Sequence, residues 1–409
     1  MRSGTHEFEA RSSGVRSSSV GSSDVRSSDA RRVLFLAQLP PPVHGVTIMS
    51  KHIHDEFAAT PNVAVEHVWQ GSARSLHDIN KRSIGKYLSF AALLLALARR
   101  WLGGERYEIA YLTLAPWTHA VLRDALLAGM ARLLSARALV HLHGEGLADV
   151  LTGTGIKQRI LRQLLWRTEL LTATKEAAGV AARSGLFSRV LELPNMVADP
   201  QTWPQPRSQS GPQSGPQPQT TSSDKIRCGF LANLDPRKGV LRFIDAMEAM
   251  AKAGLPVTGT IAGPSTNWLT VAQVEALVAE RGLDKQVTVT GPIFGAYKDQ
   301  FWRNLDVLIY LSEHDHAPLV VIEALAYGVV PITLATGGIA GMLGEGLAGN
   351  VLGRDLAPVD VVAATVCKVR DYAASAARLE SDKQKSRARY LAEFTEPVFH
   401  DRLKAILGI

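Results

Sequence analysis

Short apolar runs alternating with longer amphipathic ones, on both sides of a single polar low-complexity stretch, constrain this chain more than any other feature. On the near side the runs are Val33–Ala37, Ile109–Leu114, Ala138–Leu142 and Val190–Leu193; on the far side they are Ile226–Leu231, Thr258–Gly263, Val287–Thr290, Leu305–Tyr310 and Val330–Leu334. Runs this short suit buried strands, and the stretches between them, such as Ala120–Leu134, Val240–Ala253 and Val271–Arg281, suit helices. Strand and helix in alternation build βαβ units, so each half is expected to be an α/β domain around a parallel sheet. Residues 201–224 between the halves are mostly Pro, Gln, Gly and Ser, cannot build a core, and read as a flexible linker. The expected division is a tail over 1–30, a first domain over 31–200, the linker, a second domain over 225–390, and a C-terminal helix over 391–409 packing back on the first domain.

At 409 residues the chain has room for two full cores. A net charge of +7 is modest and partly belongs to the tail, which argues against a dedicated nucleic-acid binder and fits an anionic substrate or a membrane surface better. Cys228 and Cys367 are the only cysteines, so no disulfide framework is implied and a reducing, cytoplasmic setting is the default. Residues 1–30 repeat Arg-Ser-Ser at Arg11, Arg16 and Arg26; they hold too few apolar groups to order and lack the apolar core of a secretory signal.

In a parallel sheet, ligands sit where a strand's carboxyl end meets a helix N-terminus. Several such junctions carry chemistry. After Val33–Ala37 comes Gln38-Leu39-Pro40-Pro41-Pro42-Val43-His44-Gly45, where Gly45 lets backbone approach a ligand. After Ala138–Leu142 comes His143-Gly144-Glu145-Gly146, with Glu145 and Asp149 the nearest acids that would orient His143. After Ile226–Leu231 comes Asn233-Leu234-Asp235-Pro236-Arg237-Lys238-Gly239, a pair of cations beside a glycine at a helix start, suited to a diphosphate. Gly337 and Gly338 follow Val330–Leu334 in a loop of phosphate-cradling type. The richest junction is Tyr310–Pro331, in which Asp315 stands in a charged loop and Glu323 lies inside the helix that follows.

This last stretch resembles the nucleotide-sugar signature of retaining glycosyltransferases with two Rossmann-like domains, the GT-B fold, of family four. That signature is an acid, seven residues, Glu, then Ala-x-Ala-x-Gly, matched by Asp315, Glu323, Ala324, Ala326 and Gly328. Lys238 and Gly239 align with the family's Gly-Arg-Leu-x-x-x-Lys-Gly, with Asn233 standing where the family has Arg. Pro194-Asn195-Met196-Val197 resembles the family's Pro-Asn-Gly-Val turn, and Gly291-Pro292-Ile293 the turn that frames the base. Ala340-Gly341 replace the usual Pro-Glu, and Asp315 the usual Glu. The resemblance covers nearly all of the chain from Val33. It implies transfer of a sugar from a nucleotide diphosphate sugar to an acceptor, with retention and with no metal or other cofactor. It implies a site in which His143, Lys238 and Asp315 act on the reacting sugar and phosphate. Gly45, Asn233, Arg237, Lys238, Gly239, Pro292, Asp315, Leu319, Val320, Glu323, Gly337 and Gly338 would hold the donor, Glu323 taking the ribose hydroxyls and Asp315 those of the sugar.

Rival chemistries fare worse. Glu313, His314, Asp315 and His316 are metal-ligating types, but four successive residues cannot all turn toward one ion, and no second cluster with ligand spacing stands out. There is no Gly-x-Ser-x-Gly elbow and no P-loop. Tyr87–Leu102 is apolar almost all round and ends in Arg99-Arg100-Trp101; its uncharged run falls short of the ~20 residues a bilayer crossing takes. It reads either as a packed helix of the first domain or as an interfacial helix on anionic lipid, with Lys81, Arg82 and Lys86 upstream. The second reading makes a saccharide or lipid-linked acceptor at the inner membrane face an expectation, as in bacterial polysaccharide or glycolipid assembly. Two competing functions remain: a non-catalytic nucleotide-sugar-binding protein, favoured by Asn233, Asp315 and Gly341, and a nucleotide-sugar epimerase of the same two-domain fold.

Overall fold

The computed structural model describes residues 30–41, 45–68, 84–116, 120–200 and 225–408. Residues 1–29 of the expected tail, the linker, Lys81, Arg82 and Pro42–His44 of the first ligand loop lie outside these residues.

The first domain has strands β1 (Arg31–Leu36), β2 (Val63–His67), β3 (Tyr107–Leu114), β4 (Ser135–Leu142), β5 (Glu169–Thr172) and β6 (Arg189–Glu192). Its helices are α1 (Gly45–Ala59), α2 (Ile84–Leu102), α3 (Val121–Leu134), α4 (Leu147–Thr152), α5 (Ile156–Leu165) and α6 (Lys175–Ser184). All strand pairs are parallel, in the order β2-β1-β3-β4-β5-β6. The order reverses between β1 and β3, a topological switch that opens a crevice at the strands' carboxyl ends.

The second domain runs β7 (Ile226–Leu231), α7 (Val240–Lys252), β8 (Val257–Ala262), α8 (Val271–Glu280), β9 (Val287–Gly291), α9 (Gly295–Arg303), β10 (Val307–Tyr310), α10 (Leu319–Ala326), β11 (Val330–Leu334), α11 (Ile339–Leu343), β12 (Val351–Leu352), α12 (Pro358–Ala374), α13 (Ala376–Glu393). Its sheet is also wholly parallel, ordered β12-β11-β10-β7-β8-β9, with the switch between β7 and β10. The central strands are apolar on both faces because helices cover both: β10 and β11 are buried at every position. Two short edge strands, β2 and β12, carry no comparable run; β12 pairs only with Thr333 and Leu334.

The last helix, α14 (Glu396–Leu407), returns to the first domain. Phe399, Leu403, Ile406 and Leu407 enter one core with Val33, Phe35, Ile53, Phe57 and Tyr111. Its final carbonyls, which have no partner within a helix, accept from arginines of the first sheet: Arg137 reaches Ile406 O at 2.9 Å and Leu407 O at 3.2 Å, and Arg31 reaches Gly408 O at 3.1 Å. The helical segment differs from the expected 391–409 in that α13 continues to Glu393 and a break at Phe394–Thr395 precedes α14. Beside that break the two passages between the domains lie together, Val197 N donating to Phe394 O and Tyr390 OH to Val197 O.

Helix α2 packs on the first domain through Leu97, with Phe90, Leu93 and Leu94 half-buried against the same core. Its other face is apolar and open to solvent. No helix among the described residues is long and apolar enough to cross a membrane.

Candidate functional site

Gly45, His143, Lys238, Asp315, Gly337 and Pro292 come from six different strand-to-helix junctions, and each stands at a strand's carboxyl end. Two of the expected donor residues meet directly across the cleft: a Cβ built on Gly45 would lie 3.5 Å from Leu319 Cδ1 at the start of α10. Other contacts close the same cleft. Asn195 Nδ2 donates to Ala317 O at 2.8 Å, His316 Nε2 lies 3.5 Å from Thr172 Oγ1, and His314 lies 3.8 Å from Glu145.

Lys238 closes the short 3-10 turn Pro236–Lys238, where the chain turns into α7 with Gly239 at φ 92°. That glycine is required, since a Cβ there would fall 2.6 Å from Leu311 O. The Lys238 ammonium donates to Asp315 Oδ1 at 2.7 Å and to His314 O at 2.9 Å. The other oxygen of Asp315 accepts from Tyr310 OH at 2.5 Å and Ser312 Oγ at 2.6 Å. Burial and the adjacent Asp315 carboxylate push the Tyr310 phenol well above its usual range, so it stays a donor. Three protein donors use most of the roughly four acceptor sites of the carboxylate. Asp315, expected to take sugar hydroxyls, is therefore first of all the group that aims Lys238.

Successive side chains of this loop go to separate partners: Glu313 to Arg242, His314 to Glu145, Asp315 to Lys238, His316 to Thr172. They form no metal cluster. His316 is driven into the domain interface, and burial lowers its pKa to about 4, against the raising effect of Asp315. His141, fully buried, pairs through Nδ1 with Tyr111 OH at 2.8 Å; burial, then His143 and His316, hold it well below the usual imidazole range. The His143 ring packs on that of His141, centroids 4.1 Å apart and planes tilted by 45°, so the strand end carries two imidazoles in contact. Of the acids expected to orient His143, Glu145 lies against His314 and Asp149 is exposed on α4.

Arg237 is drawn aside. Asp235 holds its guanidinium with contacts of 2.6 and 3.0 Å, and the ring of Trp268 lies under it at 5.6 Å. Asn233 is exposed and accepts from Asp235 N through its carbonyl. Glu323, on the second turn of α10, pairs with Lys298 of α9 at 2.6 Å, a partner that sequence reading missed. Pro292 opens the loop into α9 and is exposed, close in sequence to the exposed rings of Phe294 and Tyr297.

The Gly337–Gly338 loop is shaped by close approach. Gly337 has φ 53°, and a Cβ on it would fall 2.1 Å from Asp315 O. Gly338 presses on the first domain, where a Cβ would fall 2.2 Å from Thr174 Cγ2, and its N–H donates to His316 O at 2.9 Å. That N–H is engaged by protein in this arrangement, so the loop's other amides would have to serve a phosphate. A Cβ on Gly341 would meet Glu176 Oε1 at 2.8 Å.

Residues 216–389 match the family model of glycosyl transferases group 1. The second half of the chain is a glycosyl transferases group 1 domain. No curated protein matches the chain by sequence. Among solved structures, the chain is similar to Anabaena HepE in complex with UDP, at 15% identity and a TM-score of 0.61 over 92% of this chain and 99% of that one. It is similar to sucrose-phosphate synthase from Thermosynechococcus elongatus, at 16% identity and TM-score 0.65, over 92% and 98% of the two chains. It is also similar to the lipopolysaccharide outer core galactosyltransferase WaaB, at 14% identity and TM-score 0.62, over 92% and 99%. These likenesses establish the fold: two Rossmann-like domains in the GT-B arrangement. Of the expected site residues, Lys238, Asp315, Glu323, Gly337 and Gly338 stand in the second domain, and Gly45 and His143 in the first.

Proposed function

We propose that the protein moves a sugar from a nucleoside diphosphate sugar to an acceptor in the cleft between its two sheets, with retention at the anomeric carbon. The observation that carries this reading is the aimed ammonium of Lys238 at the β7–β10 switch of a group 1 domain. The leaving group is a nucleoside diphosphate, and its developing charge is the main barrier the protein has to lower. Lys238, held by Asp315 and His314 O, is a preorganised cation that costs no reorientation when that charge appears. Glu323 takes the ribose hydroxyls and gives up Lys298 to do so. His143, Gly45 and Leu319 shape the sugar pocket. Protein cations meet the phosphate charge, so no metal is assigned to the step.

The donor to try first is a UDP-sugar, since HepE has been solved with UDP and with UDP-glucose. Transfer or slow donor hydrolysis, followed by UDP release, tests the reading; a protein that binds UDP but releases none from any common UDP-sugar and acceptor contradicts it. A binding protein without turnover is the second reading, and the capture of Arg237 by Asp235 and Trp268 is the observation that favours it.

The acceptor is assigned to a lipid-linked saccharide at an anionic membrane surface. Along α2, Ile84, Leu88, Leu95 and Leu102 share one face, Ile84 being 80% and Leu102 76% exposed. The exposed Ile156 and Ile160 of α5 add apolar surface, and Arg99, Lys157 and Arg159 supply cations. Such a face lies in a lipid interface rather than across it. Co-sedimentation with anionic vesicles, but not with neutral ones, is the expected result; equal failure with both removes the membrane from the account.

A further inference from the structure

Outside the cleft, the geometry points to a divalent metal site, for which we propose Zn2+, that fastens α14 to α1. His52 and Glu56 stand one turn apart on α1, and Glu396 and His400 one turn apart on α14, so each pair shares one helix face. The helices bring the two pairs together from opposite ends of the sequence. One ligand atom each from His52, Glu396 and His400 lies within 4.8 Å of the other two. Two imidazoles and a carboxylate are a set that Zn2+ takes readily, with bonds of about 2.0–2.2 Å.

The carboxylates around His400 suit a metal ligand. Its Nε2 faces Glu396 Oε1 at 3.6 Å, while its Nδ1 lies close to the Glu56 carboxylate without being aligned on it, so that a small turn of the ring would make the hydrogen bond. A ligating histidine characteristically gives its second ring N–H to a carboxylate, which fixes the tautomer and strengthens the ligand. Lys404 lies 3.5 Å from the other oxygen of Glu56 and balances that charge. Three protein ligands and one water complete a tetrahedral set. Phe399, between Glu396 and His400, is buried in the core of the first domain, so the ion sits at the point where the chain's end returns to it.

The consequence is mechanical. The chain passes from the group 1 domain through α13 into α14, and a metal at α1 and α14 staples that return passage. It sits on the same helix that begins at Gly45 in the cleft.

The test uses the full chain, stripped with a chelator and free of any histidine tag. Zn2+ titrated by calorimetry is expected to bind one ion per chain and to raise Tm by a few degrees, and Co2+ is expected to give the visible absorption of a tetrahedral centre. His52→Ala and Glu396→Gln are expected to lose binding at least tenfold and to lose the Tm rise. Glu396 is exposed, so the second variant keeps its fold. His54→Ala, on α1 but outside the cluster, is expected to behave as the wild type. Zn2+ binding that is equal in the wild type, His52→Ala and Glu396→Gln overturns the site, as does a wild type that binds none.

Discussion

Lys238 Nζ and Asp315 Oδ1 lie 2.7 Å apart, joining the loop after β7 to the loop after β10 across the switch point of the second sheet. Neither residue stands alone in the site. Asp315 gathers Tyr310, Ser312 and Lys238, and its placement decides where the ammonium points.

Lys238→Ala is expected to lower sugar transfer by about 10²-fold or more, the scale for one preorganised donor to developing charge. Asp315→Asn keeps size and loses the charge that aims Lys238. It is expected to lower kcat by a smaller factor while leaving KM for the donor closer to the wild type. It also costs roughly 1–3 kcal/mol in stability, because the buried Tyr310 hydroxyl loses a charged acceptor. Steady-state kinetics and chemical denaturation of the two variants check this; an Asp315→Asn protein with unchanged kcat contradicts the positioning role.

Glu323→Gln removes the charge that Lys298 now pairs with. Weaker nucleotide binding by about tenfold is expected, with an unchanged fold by circular dichroism. Calorimetry with UDP reads it, and equal affinity would take Glu323 out of the donor site.

Acid is expected to loosen the domain interface. The folded-state pKa of His316 is about 4, below the ~6.5 of an unfolded imidazole. Unfolded chain therefore takes up the proton first as pH falls. The contribution is whole above pH ~6.5 and is lost progressively down to about 4, at roughly 1.4 kcal/mol per unit of separation. His141, also held well below the usual imidazole range by burial, acts in the same direction. Thermal unfolding between pH 7.5 and 4.5 measures the slope, and His316→Gln is expected to flatten it. An unchanged slope in that variant places the acid sensitivity elsewhere.

Gly338→Ala is expected to push the domains apart, because the new Cβ would fall 2.2 Å from Thr174 Cγ2 and 2.5 Å from Thr174 Cβ. Overpacking of this kind costs roughly 1–3 kcal/mol. Thr174→Ser in the same chain removes the first contact and keeps the hydroxyl that caps α6, so partial recovery is expected. Small-angle scattering and denaturation check both; a compact, fully stable Gly338→Ala protein means that the domains do not close as tightly as Gly338 and Thr174 indicate.

The sequence made the two sheets legible because their central strands are buried on both faces and so stand out as uninterrupted apolar runs. The edge strands escaped: Val63–His67 is only half-buried, and Val351–Leu352 is too short to leave a pattern. In the site, the positions of Lys238, Asp315 and Glu323 could be read from strand-to-helix junctions, but not their partners. Lys298 looks like any surface lysine until α9 folds it against Glu323. Arg237 reads as a phosphate ligand only if Asp235, two residues before it, is ignored. Gly341 reads as a lost acid, yet Glu176 of the other domain lies against it, a relation no local pattern records. The pairing of α1 with α14 was hidden for the same reason, although the one-turn spacing of each half is present in the sequence.

The most direct test of the central claim is calorimetric titration of UDP into the full chain and into its Lys238→Ala variant. One UDP is expected to bind per wild-type chain, with an affinity at least tenfold weaker in the variant. A wild type that binds none of UDP, GDP or ADP, or a variant that binds as tightly as the wild type, would contradict a donor site built on Lys238.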